Sequence, residues 1–161
     1  MFRKKADQEP LIVPTDSIKA LPDGILFEGE NIFLKWGADP ETDKQYAKKE
    51  FRADRVIYQW GERKILNGLT LPFKTICWNH KQHGENRSIE SIDFSTEGEG
   101  AEAKFDDIKK HFESILGEPK QQEDLDRGEV SLEWKVKAVK ISLNFFNRDH
   151  PKVGLEIGWW V

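Results

Sequence analysis

The sequence predicts an α+β fold of predominantly antiparallel β-sheet, built from successive hairpins, with one amphipathic helix packed on a C-terminal three-stranded sheet. Three observations predict it. Between Phe105 and Leu116 apolar residues recur at helical spacing, and from Val130 onward they alternate with a period of two. Upstream, short alternating runs are punctuated by glycine-containing turns. These two periods mark a helix with one apolar face and strands with one buried face.

The helix is expected over about residues 103–116, with Phe105, Ile108, Phe112, Ile115 and Leu116 on one face. Asp106 and Asp107 are read into its first turn, where the helix dipole favours acids. Gly117 is placed to end it, and Pro119 blocks continuation. Burying five large side chains at roughly 1.5–3 kcal/mol each holds such a helix on a sheet.

In that sheet Val130, Leu132, Trp134 and Val136 share one side. After Lys137-Ala138 the apolar phase slips to Val139, Ile141, Leu143 and Phe145. A two-residue turn produces such a slip and sets Val136 opposite Val139. The third strand carries Val153, Leu155, Ile157, Trp159 and Val161 in phase.

Residues 24–95 read as a β-rich half. A hairpin turning at Gly29-Glu30, a Gly-X pair expected as a two-residue type II′ turn, pairs Phe27 with Ile32 and Leu26 with Phe33, so it is apolar on both sides and needs cover on both. A second hairpin is expected over residues 55–66, turning at Gly61-Glu62. Residues 73–79 and 88–95 read as strands joined by a polar loop. Residues 37–54 read as a charged loop with a possible short helix, capped by Asp39 with Pro40 at its first position. Residues 1–23 read as an irregular arm. The whole chain of 161 residues fits a single domain.

Composition narrows the function classes. Hydrophobic residues are only 37% of the chain, so its ten Phe and six Trp must supply much of the core, and such aromatic richness argues against disorder. A net charge of −4 supplies no global field for nucleic acid or an anionic membrane. Residues 90–129 hold thirteen acidic and five basic side chains, which suits either solubility or a basic partner. One cysteine allows no intrachain disulfide. The basic start is followed by no long apolar run, so the expected address is cytoplasmic.

Few residues suggest chemistry. Cys77, His80 and His83 form C-x2-H-x2-H, which are zinc-ligand types at short spacing. No fourth ligand is evident, and Cys77 and His80 point to opposite sides of an extended strand. A metal-dependent module or enzyme on these three residues is the alternative reading; no other cofactor is expected. Gly98-Glu99-Gly100-Ala101-Glu102-Ala103 matches a dinucleotide-loop spacing, but its glutamates oppose a pyrophosphate. Arg148-Asp149-His150 lies at a turn, where catalytic groups are poorly preorganised.

The outer face of the last sheet is more informative. Phe146 and Trp160 fall on the polar side, with Lys135, Lys140 and Trp160 read as one cross-strand row. Such a patch is a solvated cation–π contact, a surface covered within the chain, or an interface. From this the sequence suggests a small cytoplasmic protein-binding protein without catalysis, most concretely an immunity-type inhibitor of a bacterial toxin. The expected partner is a protein, with no nucleic acid or membrane, and a structural homo-oligomer is a further alternative.

Overall fold

In the computed structural model, residues 13–78, 87–147 and 149–159 are described. The fold is α+β, as the two periodicities predict, with antiparallel sheets of two and eight strands.

The chain opens with a short helix, α1 (Ser17–Ala20), inside the expected arm. The Asp16 carboxylate caps it, accepting from the amides of Ile18 and Lys19. Strands β1 (Gly24–Phe27) and β2 (Ile32–Lys35) form the first hairpin in the expected register, Phe27 opposite Ile32 and Leu26 opposite Phe33. The turn differs. Four residues intervene, and both Gly29 and Asn31 take positive φ, so the link is not a two-residue type II′ turn. A 3₁₀ segment (Pro40–Tyr46) follows, capped by Asp39 with Pro40 at its start.

The eight-stranded sheet begins at its edge with β3 (Lys48–Phe51), too charged to show alternation, followed by β4 (Arg55–Ile65) and β5 (Leu69–Trp78). The predicted turn at Gly61-Glu62 is overturned: β4 runs through it. The register shifts between Gln59 and Gly61, and Gly61 has φ +79°. Glycine at positive φ serves a bulge as well as a turn, so composition alone could not separate them. The bulge resets the phase, so Tyr58, Trp60 and Ile65 are all buried. The true turn is Leu66-Asn67-Gly68, all at positive φ. The Glu28 carboxylate accepts there from the amides of Asn67 (3.0 Å) and Gly68 (2.8 Å), and also from the Ser17 hydroxyl (2.8 Å).

Strand β6 (Ser91–Glu97) leads through Gly98–Gly100 into α2 (Ala101–Leu116). The helix starts two residues before the expected 103, so Asp106 and Asp107 lie beyond its first turn and face solvent. After it come β7 (Lys120–Asp124), β8 (Glu129–Val136), β9 (Val139–Asn147) and β10 (Pro151–Trp159). The predicted phase slip is present, with Val136 opposite Val139.

The C-terminal strands are not a separate three-stranded sheet. The order is β3-β4-β5-β6-β10-β9-β8-β7, so β10 pairs with β6 and joins the two halves into one sheet. Strand β7 adds an outer edge that sequence could not show, because all five of its residues are exposed. The helix carries the chain from the middle of the sheet to that far edge, and a meander returns it to β10.

One face of the sheet is buried. The helix α2 packs on β9 and β10 through Phe105, Ile108 and Phe112, with Phe105 against Phe145 and Phe112 against Trp134. The β1–β2 hairpin covers β4, where Phe27 meets Trp60 at 6.1 Å between rings. His111, off the apolar stripe of α2, is half-buried, and its Nε2–H donates to the Leu66 carbonyl at 2.6 Å, tying α2 to the β4–β5 turn.

Candidate protein-binding face

The opposite face of the large sheet is overlaid by neither α2 nor the β1–β2 hairpin. Registered pairs carry one row across all eight strands: Lys48, Gln59, Lys74, Asp93, Glu156, Ser142, Glu133 and Lys120. Every member is polar, as expected where a sheet meets water on one side.

Small residues floor the C-terminal part of this face. Ser91, Gly158, Gly154, Ser142, Asn144 and Ser131 leave the backbone approachable. Two shallow clefts lie on either side of Lys140. One, of about 330 Å³, is bordered by Glu90, Glu156 and Trp159; the other, of about 210 Å³, by Lys120, Gln122 and Glu133. The Lys140 ammonium lies 3.4 Å from the Glu133 carboxylate.

Toward one end of its N-terminal part the same face turns apolar: Ile57, which is buried, pairs with Ile76, and Arg55 pairs with Trp78. The Trp78 indole is half exposed, and the Arg55 guanidinium lies 5.0 Å from its ring centre. Alternation along β5 places Trp78 on this side, but the short run expected over residues 73–79 obscured the ten-residue strand that establishes it.

The sequence-predicted patch is only partly assembled. Lys135 and Lys140 are direct cross-strand partners. The residue opposite Lys140 on β10 is Gly158, not an aromatic, so the proposed row with Trp160 is replaced; Trp160 itself lies outside the described residues. Phe146 is half-buried between Glu129 and Lys152 at the far end of β9, roughly 20 Å along the strand from Lys140. Trp159, expected in the core, is 41% exposed beside Gly37 at the end of the sheet.

Cys77 points to the buried face, where its thiol donates to the Ser88 carbonyl at 3.7 Å. Burial pushes that thiol up to about 11, keeping it protonated. His80 and His83 lie outside the described residues. Among the described residues no group of three or more His, Cys, Asp and Glu is arranged to hold a metal. The Gly98–Gly100 loop is closed on itself, with Ala101 N–H donating to Gly98 O, while Gly98 N–H donates to Pro151 O.

At the rim, Tyr58 donates to Glu41 at 2.5 Å, and Lys49 pairs with the same carboxylate at 2.9 Å. The Tyr58 hydrogen bond, then the one from Lys49, hold Glu41 below the usual carboxylate range. Burial, reinforced by Glu41, raises Tyr58. This cluster fixes the 3₁₀ segment to β4 and is structural. No helix among the described residues is long and apolar enough to cross a membrane. Searches of protein families, curated proteins and solved structures return no match to this chain.

Proposed function

We propose that this is a protein-binding protein that acts by occlusion through the open face of its large sheet, in the manner of an immunity-type inhibitor of a bacterial toxin. The observation that carries the reading is the half-exposed Trp78 with Arg55 beside it, next to a floor of glycine and serine. Tryptophan and arginine are the side chains that most often anchor interfaces. A small-residue floor admits a partner's side chains without rearrangement. Asp93, Glu156 and Glu133 alternate on this face with Lys74, Lys140 and Lys120, charges that favour selective encounter with a complementary partner.

The test is co-expression with the products of neighbouring genes in the source genome. One of them should arrest growth alone and be silenced by this chain. Trp78→Ala and Ser142→Arg should each weaken that protection at least about tenfold, the loss of one hot-spot contact. Circular dichroism should show the fold intact in both. If no neighbour is toxic, or if both folded variants protect fully, the reading is wrong.

A further inference from the structure

Strand β6 carries one acid in the middle of the open face, Asp93. Its partner on β10 is Glu156, and its partner on β5 is Lys74. We propose that Asp93 is a proton-controlled partner switch: protonated, it bonds to Glu156 on β10; ionised, it turns to Lys74 on β5.

The sheet register sets Lys74 and Glu156 directly on either side of Asp93. The diagonal neighbours of Asp93 are Pro72 and Ile76 on β5, and Gly154 and Gly158 on β10, so none offers a charge. On its own strand the Ser91 hydroxyl donates to Asp93 at 3.3 Å. Beyond Glu156 the row continues through Ser142 to Glu133 and Lys120. Lys140 lies diagonal to Glu156 across the β10–β9 pair and is 3.4 Å from the Glu133 carboxylate. Two acids therefore adjoin, with only Lys74 directly beside Asp93.

Two carboxylates within hydrogen-bond reach do not both ionise without cost, and sharing one proton converts the repulsion into a bond. Burial first, and the Glu156 charge second, push Asp93 up to about 7. The ordinary aspartate value is about 3.9. The folded protein therefore holds a proton near neutrality that the unfolded chain has already lost. Stability from this proton is present in mildly acidic solution and is lost as pH rises through about 7. The open face gains one negative charge at its centre over the same interval.

The experiment follows the Asp93 side-chain carboxyl by carbon-13 NMR in the full chain, alongside denaturant unfolding at about pH 6 and about pH 8. Asp93 should titrate near neutrality, and the unfolding equilibrium constant should rise about tenfold across that interval. Asp93→Asn keeps a neutral donor to Glu156 and should remove this component of the rise. The histidines are common to both proteins, so the difference between the curves reports Asp93. Glu156→Gln should drop the Asp93 midpoint by at least about one unit. Should Asp93→Asn not fold, the wild-type titration and Glu156→Gln still decide. A wild-type Asp93 that titrates in the ordinary carboxylate range overturns the proposal, as does a folded Asp93→Asn protein with the wild-type pH dependence. Neither outcome bears on whether the face binds a partner.

Discussion

Strand β6 is held differently on its two sides. Against β10 the ladder runs its full length, from Ser91–Gly158 to Glu97–Lys152, and Trp159 extends it by donating to the Glu90 carbonyl. Against β5 only one pair is in register among the described residues, Lys74–Asp93. There, side chains stand in for the missing ladder. Thr75 accepts from the Trp60 indole N–H at 2.9 Å and donates to the Ser91 carbonyl at 2.9 Å. Backbone ladders depend little on side-chain identity, whereas a side-chain stitch fails when one residue changes. The contrast therefore locates where the two halves of the sheet can be uncoupled by a single substitution.

The largest effect is expected on the strong side. Leu155 and Ile157 of β10 lie opposite Phe94 and Ile92 of β6 on the buried face, beneath α2. Leu155→Ala leaves a cavity in this layer and should cost about 2–5 kcal/mol in chemical denaturation. Because the ladder remains, unfolding should stay a single transition. A biphasic transition would show that β6–β10 is not the stronger joint.

Thr75→Val probes the weak side. Valine keeps the shape but strands the buried Trp60 N–H and the Ser91 carbonyl, at about 1–3 kcal/mol. Hydrogen exchange should quicken in β5 and β6 before it does in β8 and β9, because fewer ladder bonds protect the joint. Thr75→Ser retains both hydrogen bonds and should restore most of the protection. Uniform acceleration across all strands would remove the distinction between the joints.

What was legible in the sequence follows from periodicity. The helix and the Val136–Val139 pairing are written in faces with one clear buried side, and the β1–β2 register in two apolar runs about a glycine turn. Strands β3 and β7 were hidden because edge strands carry little buried surface, and charge is how edges avoid further pairing. Gly61 was misread because turn and bulge ask the same freedom of glycine. The site suffered more. The row through Asp93 and Glu156, and the position of Trp78 beside the polar floor, depend on β10 joining β6, a pairing between segments some 60 residues apart. No local pattern encodes that pairing; it follows from where the helix delivers the chain.

The smallest expected effect is a gain, and it serves as a control on the comparison. The β8–β9 turn places Lys137 at φ +54°, whereas Ala138 is not among the positive-φ residues. A side chain in the left-handed region costs roughly 1–2 kcal/mol, which glycine avoids while giving back part of that gain through a freer unfolded chain. Lys137→Gly should therefore stabilise the protein by about 0.5–1 kcal/mol, read as a higher denaturation midpoint at unchanged slope. Lys137 is exposed and remote from β5, so any local opening of β5–β6 should keep its free energy. If exchange at Ser91–Glu97 slows in proportion to the global gain, that region opens only when the whole sheet unfolds, and the two joints of β6 act as one.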